Sequence, residues 1–153
     1  MPELNLEFAF TVRAALSPPV VVGQGPEGLR RFVPIIGGTF TGPLLNGNVV
    51  PGSGDWQVVR ADGALNVEAR YILETADGVL IAVNNRGIRH AAPDIMAKLT
   101  RGEPVPPSAY YFRTSATFEA PLGSPHEWVN RTIFVATAER EASTAIIHFF
   151  RLL

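Results

Sequence analysis

Asp55, Gln57, Glu68, Arg70 and Asn85 are the residues of this chain whose types and spacing could do chemistry together. Asp62-Gly63 and Asp77-Gly78 are strong hairpin signals, because both residue types tolerate the positive φ angles of primed turns. A symmetric two-residue turn at Asp62-Gly63 sets Asp55 opposite Arg70 and Gln57 opposite Glu68. The same turn at Asp77-Gly78 sets Asn85 opposite Arg70 and Gly87 opposite Glu68, on one shared face. A carboxylate confined there acts as a general base, with Arg70 and Asn85 stabilising negative charge that develops on a carbonyl or enolate oxygen.

The value of this row depends on which way it points. If it faces solvent, Asp55, Gln57, Glu68 and Arg70 form a surface ladder in which each pair contributes at most ~1 kcal/mol. If it faces a barrel lumen, Asp55, Glu68 and Arg70 are the catalytic candidates. Gln57, Asn85 and Gly87 would then contact the ligand, with glycine leaving space opposite Glu68. Ile72, Ile81 and Val83 share that face and give it the apolar character of a small-molecule site. Trp56, Arg113 and Trp128 complete the expected ligand-binding set. An arginine inside the aromatic run Tyr110-Tyr111-Phe112-Arg113 either reaches solvent along its stem or pairs with an anion.

The elements that must position these residues are long antiparallel strands. Asn46-Gly47 precedes the other two turns, and the spacing leaves room for strands of about ten residues, which suits a meander rolled into a barrel. Leu65, Val67, Ala69, Tyr71 and Leu73 alternate with Asn66, Glu68, Arg70 and Glu74, the period of a two-faced strand. Val79 to Val83 and Thr132 to Ala136 are nearly continuous in apolar or β-branched residues and are expected to be covered on both faces. Further strands are expected over Leu4 to Ala14, Arg30 to Phe40, Trp56 to Arg60, Tyr110 to Glu119 and Thr144 to Leu152. One short helix is expected over 93–101, with Pro93 in its first turn and Gly102 beyond its end, placed to plug a barrel end. Ser17 to Pro26 and Pro104 to Pro107 are expected to be loops. The fold class is therefore all-β, an antiparallel meander barrel of about 8 to 10 strands forming one domain over residues 1–153.

Composition narrows the partners. The 13 basic and 14 acidic residues nearly cancel and neither sign clusters, which argues against nucleic acid or an anionic membrane surface. No cysteine is present, so thiolate chemistry and cysteine-ligated metal are excluded. His90, His126 and His148 lack metal-ligand spacing, and no metal or cofactor is expected. Met1 to Phe10 carries Glu3 and Glu7 and lacks the basic start and apolar run of a signal peptide, so a cytoplasmic location is expected. Gly23-Gln24-Gly25-Pro26-Glu27-Gly28 spells a dinucleotide-binding pattern, but no helical pattern follows it and Pro26 removes an N–H donor, so it reads as a turn. Asn130-Arg131-Thr132 matches a glycosylation acceptor by chance.

The chain resembles, over nearly its whole length, a bacterial and fungal family known as domain of unknown function 3237, or uncharacterised protein family 0311. The resemblance rests on Pro34-Ile35-Ile36-Gly37-Gly38-Thr39-Phe40, Asp55-Trp56-Gln57, Arg60-Ala61-Asp62-Gly63, Glu68-Ala69-Arg70-Tyr71, Asp77-Gly78, Asn85-Arg86-Gly87, Tyr110-Tyr111-Phe112-Arg113 and Trp128-Val129-Asn130-Arg131, in this order. It implies a small barrel of long antiparallel strands, often oligomeric, and favours the inward reading of the polar row. The chain departs from the family pattern at Ile36, where threonine is usual, and at Glu68, where aspartate is usual.

These readings lead to a cofactor-independent enzyme acting on a small apolar or aromatic carbonyl compound by isomerisation, cyclisation or a lyase step. The alternatives are a lipocalin-like carrier of a small hydrophobic ligand, and a structural subunit whose apolar outer face makes a homo-oligomer. A carboxylate with a burial-raised pKa inside a cavity favours the enzyme.

Overall fold

Hairpin follows hairpin along almost the entire chain, and the resulting sheet closes on itself. The computed structural model describes residues 1–153. Its strands are β1 (Leu6–Leu16), β2 (Val20–Gly25), β3 (Gly28–Thr41), β4 (Gly47–Val59), β5 (Leu65–Thr75), β6 (Leu80–His90), β7 (Tyr111–Glu119), β8 (Phe134–Arg140) and β9 (Thr144–Leu152). Each pairs antiparallel with its neighbour in the order β1-β9-β8-β7-β6-β5-β4-β3-β2, and β1 also pairs with β3. That last pairing closes an eight-stranded barrel and leaves β2 attached to β3 alone. Closure satisfies every edge of the eight strands, which an open sheet of this width would leave exposed.

The expected fold class holds, as does the single short helix, α1 (Pro93–Thr100), which starts at its proline and buries Leu99. Three expectations are corrected. The segment Ser17–Pro26 is not all loop, since Val20–Gly25 forms β2 and the glycine-rich motif makes its hairpin turn, with Gly25 paired to Gly28. The strand expected over Thr132–Ala136 runs instead over Phe134–Arg140, because Glu127–Arg131 is a 3-10 turn whose cap lies at Thr132. Val79–Val83 and Thr132–Ala136 are not covered on both faces: Leu80 is 50% and Ile133 65% exposed. A closed barrel buries one face of each strand, so apolar residues of the other parity remain outside.

The interior divides into unlike halves. At one end Phe10, Phe40, Phe118, Phe134 and Phe149 interlock, with Phe10 lying 5.1–6.4 Å between ring centroids from the other aromatics it meets. The 3-10 turn packs on this half, with Val129 buried and the Trp128 ring 6.0 Å from that of Phe134. The other half, where β4, β6 and β8 end and β5, β7 and β9 begin, is not filled by side chains. Helix α1 continues directly from β6 at this end, and Ile95, Met96 and Val105 pack against the core beside Leu99.

Candidate active site

Two turns decide which residues enter the open half. Both Asp-Gly hairpins use three-residue loops, Ala61–Gly63 and Ala76–Gly78, closed by Arg60 N–H donating to Ala64 O and Thr75 N–H donating to Val79 O. Their glycines take φ of 85° and 84°, the left-handed position that ends this loop type. Each loop is one residue longer than the symmetric turn the dipeptides suggest. Asp55 therefore pairs with Ala69 rather than Arg70, and Ala69 with Asn85. A one-residue slip turns a strand over, and here both slips fall on β5.

The consequence for the expected row is a correction. Asp55, Gln57 and Asn85 keep one face and line the lumen. Glu68 and Arg70 point outward, where Glu68 accepts from exposed Arg86 at 2.9 Å. Ile72 is likewise exposed, and the apolar set Val67, Ala69 and Tyr71 faces in. Trp56 is 48% exposed and packs at a tilt against Phe32 with centroids 4.6 Å apart. Arg113 lies outside over Tyr111, because its neighbours Phe112 and Thr114 hold the inward parity of β7. Trp128 belongs to the filled aromatic end rather than to a mouth. Gly87 makes no room for a ligand: a Cβ there would meet Arg113 O at 2.2 Å, so glycine instead lets β7 approach β6. Neither Ile36 nor Glu68, the two departures from the family pattern, lines the lumen.

Two predictions arise from these placements. Arg70→Ala and Glu68→Ala should each leave turnover unchanged and shift stability by no more than about 0.5 kcal/mol, read from denaturant midpoints. Gly87→Ala should cost about 1–3 kcal/mol, because a backbone carbonyl has to move to admit the methyl. Equal midpoints for this variant and the parent would show that the strands can part freely.

The lumen cavity has a volume of about 60 Å³, several times the roughly 10–15 Å³ that one water requires. Its walls are largely apolar, including Val33, Ile35, Val67, Phe112 and Ile147, and into them project Asp55, Gln57, Tyr71, Asn85, Arg89, Thr114 and Arg140. Asp55 is the sole carboxylate among the lining residues. Its Oδ1 accepts from the Glu68 N–H at 2.9 Å and its Oδ2 from Gln57 Nε2 at 2.7 Å. The Gln57 Oε1 accepts in turn from Arg31 Nη2 at 2.6 Å and Nε at 3.2 Å. The amide is thereby fixed with its donor toward Asp55.

Removal from bulk water raises the Asp55 pKa to about 6, and it prevails over two hydrogen bonds and over the Arg89 and Arg31 charges that favour ionisation. Burial also lowers Arg89, to about 10, with further lowering by Arg31 and Arg140, so it stays charged at neutral pH. Arg31 and Arg140 are lowered by burial as well. The Tyr71 hydroxyl is pushed well above its ordinary range by burial and by Asp55, which keeps its proton in place as a potential donor. Tyr71 Oη, Asn85 Oδ1, Arg89 Nε and Thr114 Oγ1 are buried without a hydrogen-bond partner. Four such atoms around one cavity mark groups arranged for something other than each other.

Arg31, Arg89, Tyr71, Thr114 and Arg140 are additions to the residues singled out from the sequence. The signal for them was parity: Arg89 is in step with Ile81, Val83 and Asn85, Arg31 with Val33 and Ile35, and Arg140 with Phe134, Ala136 and Ala138.

A family model described as "Protein of unknown function (DUF3237)" matches residues 4–152. A UPF0311 protein of Bradyrhizobium diazoefficiens is 38% identical over 152 residues, 99% of each chain. The crystal structure of a conserved protein of unknown function from Rhodopseudomonas palustris, 36% identical, superposes with a TM-score of 0.94 over 100% of both chains. The hydroalkoxylation enzyme phnH of Penicillium herquei is 30% identical over 79 residues, 52% of each chain. An enzyme from Penicillium herquei of known structure, 20% identical, shares the fold with a TM-score of 0.72 over 100% of this chain and 98% of its own.

Proposed function

Because the chain belongs to the DUF3237 family of proteins of unknown function, its chemistry has to be read from its own lumen, and we propose that the barrel is a cofactor-independent enzyme that moves a proton on a small, largely apolar carbonyl compound. The observation that carries this reading is Asp55, a carboxylate with a pKa of about 6 in a cavity whose other charges are guanidinium groups. A carboxylate poised near neutrality is ionised often enough to take a proton and basic enough to pull it. Asp55 removes a proton from an acidic C–H or O–H, and the charge left on oxygen is met by the Asn85 amide and Arg140, which line the same cavity. The proton then returns from Asp55 to a different atom. No electrons leave or enter, so isomerisation, ring closure and lyase steps all balance without a redox partner.

The relative named as a hydroalkoxylation enzyme supports the same class. Adding an O–H across a C=C bond takes a proton from oxygen and delivers one to carbon, which a single near-neutral carboxylate can do in turn. A carrier needs no titratable group in its pocket, and the raised carboxylate weighs against that alternative.

Proton exchange tests the reading before any natural substrate is identified. Incubated in D₂O with a panel of small aryl ketones and β-dicarbonyls, the protein should speed deuterium incorporation into at least one, read by mass spectrometry, and Asp55→Asn should abolish the acceleration. Exchange that survives in the variant removes Asp55 from the mechanism.

A further inference from the structure

Arg89 poses a problem that the proton-transfer reading does not solve. It is 3% exposed, its Nε has no partner, and none of the ion pairs in the structure includes it. A buried cation with no anion is strongly unfavourable unless something pairs with it. Among its charged neighbours Arg31 and Arg140 repel it, and the opposing influence of Tyr110 and Asp55 is smaller. Arg31 gives Nε and Nη2 to the Gln57 amide, and Arg140 Nη1 donates to the carbonyls of Glu141 and Thr144 at 2.8 and 3.4 Å. Asp55, the remaining charge, is already held by Gln57 and the Glu68 N–H. Arg89 and Arg140 in the lining, with Arg31 behind Gln57, outnumber the one carboxylate and leave the lumen cationic.

Resting on the reading of the lumen as the functional site, we propose that its ligand carries a permanently anionic carboxylate, seated on Arg89 with the Tyr71 and Thr114 hydroxyls donating beside it. The Arg89 guanidinium carbon lies over the Phe112 ring at 5.6 Å from its centroid, a cation–π contact that uses none of its N–H donors. The cavity of about 60 Å³ holds the anionic end of a molecule. Arg140 also borders an outer groove of about 420 Å³, lined by Pro104, Val105, Pro106 and Tyr110, which gives the rest of the ligand a place. Glu139 and Glu141 line that groove. Their charges oppose an anion lodging outside and so orient the molecule with its acidic end inward.

Titration calorimetry and thermal shift of the full chain with benzoate and butyrate, against the isosteric neutral benzamide and butyramide, tests this directly. The acids should bind and raise the Tm while the amides do neither, a contrast that wild-type protein alone can supply. Arg89→Met should weaken acid binding about 10-fold or more. It should also raise the Tm of the ligand-free protein, where a merely structural arginine would lower it. Asp55→Asn should keep or tighten acid binding while losing deuterium exchange, so failure of the proton-transfer reading and failure of this one are seen separately. Equal binding of acids and amides, absence of acid binding at millimolar concentration, or undiminished binding in Arg89→Met overturns the proposal.

Discussion

Asp55→Asn is expected to cut turnover roughly a thousandfold, the usual size of a general acid–base contribution, while gaining stability relative to the parent as pH is raised from 4 to 8. Asparagine keeps the size of the carboxylate but only one acceptor oxygen, so one of Gln57 Nε2 and the Glu68 N–H keeps its partner and the other loses it, a cost that does not vary with pH. The pH-dependent part of the change is the loss of the capacity to hold a proton. In the parent, activity should rise with pH through about 6, as Asp55 ionises under the influence of Arg89, Arg31 and Tyr71 around it.

The stability half of this result follows from linkage. The folded protein binds the Asp55 proton more tightly than the unfolded chain, whose aspartate titrates near the ordinary 3.8. The contribution is therefore full below pH ~4 and is lost as pH rises through about 6. At pH 8 ionisation costs on the order of 3 kcal/mol, which the non-titrating variant does not incur. Denaturant midpoints measured at pH 4 and pH 8 should show the variant gaining on the parent only at the higher pH. A constant difference between the two would mean that Asp55 is not buried enough to act as proposed. Such an inverse relation between activity and stability is the mark of a group placed for chemistry.

How much of this was legible in the sequence turns on single residues. The barrel, its hairpins and the helix at Pro93 were readable, since Asp-Gly pairs, period-two alternation and a first-turn proline are local signals. The lumen was half readable. Asp55, Gln57 and Asn85 were found, and they remain on one face because the two loop extensions cancel between β4 and β6. Glu68 and Arg70 were placed with them because an Asp-Gly pair is compatible with both a two-residue and a three-residue loop, and nothing within the dipeptide chooses. The apolar parity of β5 does choose: Val67, Tyr71 and Leu73 are each 6% exposed or less, and a barrel has one buried face. Giving that pattern precedence over turn symmetry would have sent Arg70 outside and drawn attention to arginines sharing the buried parity of other strands. Gly87 misled for a different reason, since a missing side chain looks the same in sequence whether it admits a ligand or a neighbouring backbone.

Phe10→Ala is expected to cost about 3–5 kcal/mol, a large share of the roughly 5–15 kcal/mol that holds a typical domain folded. The ring is fully buried and packs against those of Phe40, Phe118, Phe134 and Phe149, drawn from four other strands. These strands include both sides of the β1–β3 and β1–β9 closure, so the cavity left by truncation opens where the barrel is joined. Thermal melting should show a Tm lower by roughly 10 °C. The polar half can leave Tyr71, Asn85, Arg89 and Thr114 without partners only because this aromatic half supplies stability in excess, and the two variants test that division from opposite ends. A Phe10→Ala protein that melts with the parent would show that the filled end does not carry the barrel, leaving the unpartnered groups around Asp55 without the packing that offsets them.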